Sequence, residues 1–145
     1  MTISSIIRGA LQARAATAAM FPPAAHRVYE GYLPDGTPYV PVIGTPYVTM
    51  VVLPTIIESP FVGNEVFRHE GLFRINVFGP QDGKGTKSIE DRADAIRAVF
   101  SIGLRLATSD NKLLIISNSR SPILEPPDWL QLPMTIGWRY YSSDS

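Results

Sequence analysis

The sequence predicts a small α+β domain, and three observations lead there. The first twenty residues carry an apolar stripe at helical spacing. From Arg27 to Leu53 the chain is rich in β-branched and aromatic residues, punctuated by prolines and glycines. Gly71 to Phe100, GLFRINVFGPQDGKGTKSIEDRADAIRAVF, runs from an apolar strand through a glycine-rich turn into an amphipathic helix without a gap. At 145 residues the chain has the size of one ordinary domain and is long enough to bury a core without staples, so residues 1–145 are expected to form a single unit.

The first helix is expected over 1–20. Ile3, Ile6, Ile7, Ala10, Leu11, Ala15 and Ala18 recur every three or four residues, with Arg8, Gln12 and Thr17 off the stripe. Thr2 is placed to cap it, and Phe21-Pro22-Pro23 ends it, because proline disfavours helical geometry in the residue before it. Arg8 and Arg14 interrupt the apolar stretch where a signal peptide needs an unbroken one, which points to a cytosolic product.

Strands are expected across 27–80. Pro34-Asp35-Gly36 reads as a turn, since proline presets φ and glycine accepts positive φ. GTPYV occurs at Gly36–Val40 and again at Gly44–Val48, an even offset that would send both copies' side chains to the same faces of an extended chain, as in a long edge strand or hairpin. Pro38, Pro41 and Pro46 suit such an edge. Tyr47 to Leu53 reads as a strand covered on both faces, stopped by Pro54. A long arm at 55–69 follows, with Ile56, Ile57, Phe61, Val62, Val66 and Phe67 too apolar for a merely solvated loop. Two readings of it stand together: an arm that contacts another protein, or a hairpin extension folded on its own sheet.

In the central strand Phe73, Ile75 and Val77 share one face, and Leu72, Arg74, Asn76 and Phe78 the other. The second helix is expected over 86–107, started by Thr86 or Ser88, with Glu90 and Asp91 in the first turn where the helix dipole favours negative charge. Its stripe is Ile89, Ala93, Ile96, Phe100 and Gly103, widened by Val99 and Leu104. Strands return over 111–141, interrupted by a proline-rich loop from Ser121 to Pro133 that holds Trp129 and Leu130.

The polar residues do not add up to a catalytic site. Thirteen basic and thirteen acidic residues cancel, so no field draws in nucleic acid or an anionic membrane. Cysteine is absent, which removes disulfides, thiolate metal sites and a cysteine nucleophile together. No apolar run approaches the roughly 20 residues of a membrane helix. The loop before the second helix imitates a phosphate cradle, but the G-x-x-x-x-G-K-[ST] spacing fails twice: Phe78 stands five residues before Gly83, and Gly85 follows Lys84 where a hydroxyl should hold magnesium. His26 and His69 are the only histidines, no G-x-S-x-G elbow exists, and His69 and Glu70, adjacent on a strand, point to opposite faces. No cofactor or metal is expected. Trp129, Trp138, Tyr140 and Tyr141 could build a stacking platform, though strand aromatics more often anchor cores or interfaces. Arg68, Arg74 and Arg139 could line an anion path.

The order of these segments, with G-L-F-R-I-N-V-F-G-P before a glycine turn and A-D-A-I-R-A-V-F after it, resembles the tail-terminator proteins of long-tailed phages and prophages. The matching positions are Gly71, Phe73, Ile75, Val77, Phe78 and Pro80, then Ala93-Asp94, Ile96 and Phe100, within a resemblance running from about Leu33 to Tyr141. The resemblance implies a mostly antiparallel sheet packed by two α-helices, in the order α-β-β-β-α-β-β. It implies a six-membered ring that caps the tail tube, ends its polymerisation and offers a surface to the neck, in a virion assembled in the host cytoplasm. The implied partners are other copies of the chain, the tail tube protein and a neck or head-completion protein, with DNA only passing through the lumen and no membrane involved. Phe61, Val62, Val66, Phe67 and Arg68 would then form one contact arm, and Trp129 and Leu130 a second contact loop. Two alternatives are another neck or head–tail joining protein, and a small-molecule-binding domain or enzyme using Arg68, His69, Asp82 and Lys84.

Overall fold

A computed structural model of the protein describes residues 3–33, 35–58, 67–81, 83, 85–108, 112–125 and 128–142, with the backbone alone described at 55–58 and 112. Helix α1 spans Ile3–Ala15, and a short 3-10 turn, Ala24–His26, leads into strand β1, Arg27–Tyr29. Strands β2, Tyr47–Glu58, and β3, Phe67–Pro80, are followed by helix α2, Lys87–Ala98. Strands β4, Arg105–Ala107, β5, Lys112–Arg120, and β6, Trp129–Ser142, complete the chain.

The six strands form one curled, mixed sheet in the order β1-β2-β3-β6-β5-β4. β1 runs parallel to β2, and every other pairing is antiparallel. The α+β class and two flanking helices therefore hold, while a sixth strand, β4, lies inside the segment expected to be helical. The second helix stops early because the chain turns at Val99 and Phe100, whose amides reach back to Ile96 and Arg97. Gly103 then takes a left-handed φ of 90° and donates its N–H to the Ile115 carbonyl, which starts the β4–β5 pairing. Leu104 reaches the core from this turn instead of from a helix.

Alternation along the strands separates two faces. In β3 the buried positions are His69, Gly71, Phe73, Ile75, Val77 and Gly79. Their neighbours across the ladder, Leu132, Met134, Ile136 and Trp138 of β6, are buried too. Ile7, Leu11 and Ala15 of α1 and Ile89, Ala93 and Ile96 of α2 pack into the same cluster, so both helices cover this one face. The expected stripes are therefore core, and a fully buried phenylalanine such as Phe73, edge-on to Phe100 at 5.9 Å, is worth about 1.5–3 kcal/mol through burial. The other face carries Tyr47, Thr49, Val51, Leu53, Leu72, Arg74, Asn76 and Phe78 with Gln131, Thr135, Arg139 and Tyr141, and among the described residues no helix lies on it.

Pro54, expected to end a strand, does not, and Pro133, expected in a loop, lies in a strand. β2 continues through Pro54 to Glu58, and Pro133 sits inside β6. The Pro133 carbonyl accepts from Ser121, so its imino nitrogen, which shares that side, lies beyond the last β5–β6 pair, Arg120 with Met134, and takes no donor from the β3 ladder. Pro54 lies beyond the last β1–β2 pair, Tyr29 with Met50, on the side of β2 that faces no strand. The two GTPYV copies, expected in an edge strand or hairpin, instead lie largely in a loop over 31–33 and 35–46, closed by isolated bridges between Tyr29 and Tyr32 and between Tyr32 and Pro38.

Candidate interaction surface

The long arm at 55–69 is in part a hairpin extension. Ile56, Ile57 and Glu58 pair with Glu70, His69 and Arg68 across a bulge after Pro54, so both flanks of the arm belong to the sheet. Phe61, Val62 and Val66 lie outside the described residues. Phe67 is half-buried and opens β3 opposite Ser142.

At this end of the sheet the polar groups are committed to one another. Arg68 and Arg139 converge from adjacent strands on one oxygen of Glu70, at 3.3 and 2.7 Å. The hydrogen bond that Arg139 donates to Glu70 is the main reason its guanidinium holds its proton above its usual range. Arg74, further along the same face, is exposed, so the three arginines do not line a continuous anion path. His69 is buried on the helix side, with Nε2 2.9 Å from the Ser142 hydroxyl and its ring 6.2 Å from that of Tyr140. His69 and Glu70 do point to opposite faces, as adjacent strand residues must.

Of the four residues in the small-molecule reading, the described pair, Arg68 and His69, lies at the start of β3. Asp82 and Lys84 lie outside the described residues, but their loop follows Pro80, at the far end of β3 from His69. Eleven strand residues at about 3.3 Å each put those ends roughly 35 Å apart. The glycine loop borders a cleft of about 230 Å³ lined by Gln81, Gly83, Gly85, Thr86, Glu125 and Leu130. The Thr86 hydroxyl there lies 3.3 Å from the Glu90 carboxylate, and Glu125 brings a second carboxylate that repels a phosphate. Among the described residues no three His, Asp or Glu side chains are grouped to hold a metal.

The aromatic residues divide between the two faces. Trp138 and Tyr140 are core, while Trp129 and Tyr141 sit on the open face at opposite ends of β6, so no single platform forms. Trp129 and Leu130 are not in a loop; they open β6, paired to Pro80 and Gly79. Leu130 is 4% exposed and part of the core, and Trp129 keeps a partly open side.

Trp129 belongs to an aromatic stack that the sequence does not advertise. Tyr47 lies flat on Phe78 at 4.4 Å, meets Trp129 edge-on at 5.1 Å and touches Tyr39 at 5.1 Å. The Tyr39 hydroxyl is 3.0 Å from His26 Nδ1. Burial pushes the Tyr39 and Tyr47 phenols above the ordinary tyrosine range. Tyr39 and Tyr47 are equivalent positions of the two GTPYV copies, so the repeat serves to fold one copy onto the other. The loop pinned this way raises Val40, Val42 and Ile43 into solvent, Ile43 being 96% exposed. The signal for this patch was in the sequence: from Gly36 to Ile57 there is no charged residue.

A family profile described as "Phage tail terminator protein" matches residues 6–138. No curated protein matches. A solved structure known only by a sequence identifier superposes with a TM-score of 0.73 at 20% identity, over 96% of each chain. A chain from the "Virion of native gene transfer agent (GTA) particle" superposes with a TM-score of 0.62 at 17% identity, over 97% of this chain and 98% of that one. At these identities the two structures are alike in fold.

Proposed function

The chain belongs to the phage tail terminator family, and from that premise we propose that it closes the growing end of a phage tail tube. Its role is structural and its place is the tail of a virion. Copies join into a ring, six-membered as in the resemblance drawn from the sequence. The ring seats on the last layer of tail tube protein, denies the next layer its binding surface, and presents its outer side to a neck or head-completion protein. DNA passes through the lumen without being gripped. Phe61, Val62, Val66 and Phe67 act as contact residues in the segment joining β2 to β3, supported by Arg68 at the start of β3.

The observation that carries the reading is the family match, which spans all six strands in part or whole and both helices. The geometry supports it in a second way. Capping is a matter of shape and mutual docking, and it needs no acid, base or metal. The polar clusters are consistent with that, because Glu70 is saturated by two arginines and Gln81 sits a full strand length from His69.

The test is a polymerisation assay with purified tail tube protein. Adding the chain before growth is complete should give short tubes, each bearing the chain at one end and not along its length, as seen by negative stain and quantified from band ratios. Phe61→Asp should fold with an unchanged circular dichroism spectrum and fail to limit the tubes. Tubes that grow to the same lengths with and without the unmutated chain would overturn the proposal.

A further inference from the structure

We infer that the contact between neighbouring copies is head to tail, the loop around Ile43 of one copy docking on the Leu124 edge of the next; this rests on the ring reading above. The starting point is that Val40 and Ile43 are 77% and 96% exposed, yet the loop that carries them is not loose. Tyr39 anchors it against Tyr47 and His26, and turn bonds run from Thr45 to Val42 and from Leu33 to Thr37. A fold that fixes two β-branched side chains in water forms a built projection, and such apolar patches mark contacts with other proteins.

The choice of a second copy as the occupant comes from the register. Tyr47 pairs with Phe78, Phe78 with Gln131, and Gln131 with Leu124. These four residues form one row straight across the sheet. At one end of the row stands the Ile43 loop, resting on Tyr47. At the other end, three strand spacings or roughly 15 Å away, Leu124 is half exposed on the opposite edge. A heterologous contact needs its two halves on opposite sides of the subunit, and it closes into a ring only when successive copies do not climb. Two apolar patches at opposite ends of one row meet the first condition, and their common level along the strands favours the second.

Charge supports the same pairing. The loop lies in the uncharged run from Gly36 to Ile57, and Leu124 lies in another from Ser121 to Leu124. The outer side of α2, by contrast, carries Lys87 paired with Asp91, and Asp94 paired with Arg120. The contact is made by side chains and not by strand addition, because the β2 edge next to the loop is blunted. The Val52 N–H is taken by the Glu30 carboxylate at 3.3 Å, and Pro54 has no N–H to offer. Ile102 is also exposed, at 68%, but it adjoins Gly103 and Ile115 at the level of Trp138, away from this row, and serves as the internal control.

The experiment is light scattering on Ile43→Asp, Leu124→Asp and Ile102→Asp, each checked for an unchanged circular dichroism spectrum and melting midpoint. The unmutated chain and Ile102→Asp should form the closed oligomer, while Ile43→Asp and Leu124→Asp should each run at the monomer mass of 15.9 kDa. Mixing the last two in equal amounts should yield a dimer and nothing larger, since each variant retains the half that the other has lost. If Ile43→Asp or Leu124→Asp still forms the full oligomer, or their mixture stays monomeric, this contact is wrong and the ring reading survives. If the unmutated chain is monomeric both alone and on its tail tube partner, the ring reading and this contact fall together.

Discussion

At the scale of single residues the tightest constraint is Gly71. It lies on the core face of β3 opposite Pro54 on one side and Trp138 on the other, and a Cβ there would collide with the Leu53 carbonyl and the Trp138 ring. Backbone cannot retreat as a flexible side chain can, so Gly71→Ala should cost about 1–3 kcal/mol, as overpacking does. The readout is a lower urea midpoint at an unchanged slope. A midpoint within error of the unmutated chain would mean that β2 and β3 separate more easily here than their register implies. Tyr47 makes a prediction that depends on pH. Burial first, and then repulsion from Tyr39, raise its phenol above the unfolded value of about 10. The stability gained by keeping that phenol neutral is fully present below pH about 10 and is lost as pH rises through the higher folded value. Tyr47→Phe should therefore flatten the alkaline fall in melting temperature and remove one late step from the phenolate absorbance titration. The same slope in both proteins would show that Tyr47 ionises without strain.

At the scale of elements, α1 and β3 were legible because their burial follows one period over many residues: Ile7, Leu11 and Ala15 in α1, and Phe73, Ile75 and Val77 in β3, are buried as that period requires. The end of α2 was not, because Gly103 and Leu104 continue the helical spacing by coincidence while the backbone has already turned. What stops the helix lies 18 residues ahead in the chain, outside any local window: the Asn118 amide donates to the carbonyls of Arg97 and Phe100 at 3.2 and 2.7 Å, and its oxygen accepts from Arg97 Nε at 3.1 Å. Asn118 thus caps α2 from β5. Asn118→Ala should cost about 1–3 kcal/mol, two to three ordinary hydrogen bonds in a half-buried site. Faster amide exchange confined to the last turn of α2 would locate the loss there. Equal exchange along the whole helix would mean the cap is incidental. The first GTPYV copy was read as edge strand or hairpin for a related reason. Its residues have β propensity, but Tyr39 packs against Tyr47 instead of lying in a ladder, and propensity alone does not register that contact.

At the scale of the whole molecule, the sheet is stitched by pairings between residues distant in sequence: Phe67 pairs with Ser142 and Pro80 with Trp129, so the central strand acquires its second neighbour only when the last strand arrives. The class was legible because helix and strand periods alternate along the chain. The strand order was not, since nothing in β3 itself names β6 as its neighbour. The core joins residues from α1, β2, β3, α2, β5 and β6 in one cluster, which leaves no element able to bury its face alone. Two consequences follow. Unfolding should be a single transition with equal calorimetric and van't Hoff enthalpies, as for one cooperative unit. Refolding should take milliseconds to seconds, because the entropy of closing long loops is lost before β3 and β6 reward it. Deleting β6 should abolish the transition instead of lowering it, since β3 would lose a whole ladder and the core would lose Leu132, Met134, Ile136, Trp138 and Tyr140 together. A truncated chain that still melted cooperatively would show that α1, β2, β3 and α2 form a unit of their own, and the account of one shared core would fail.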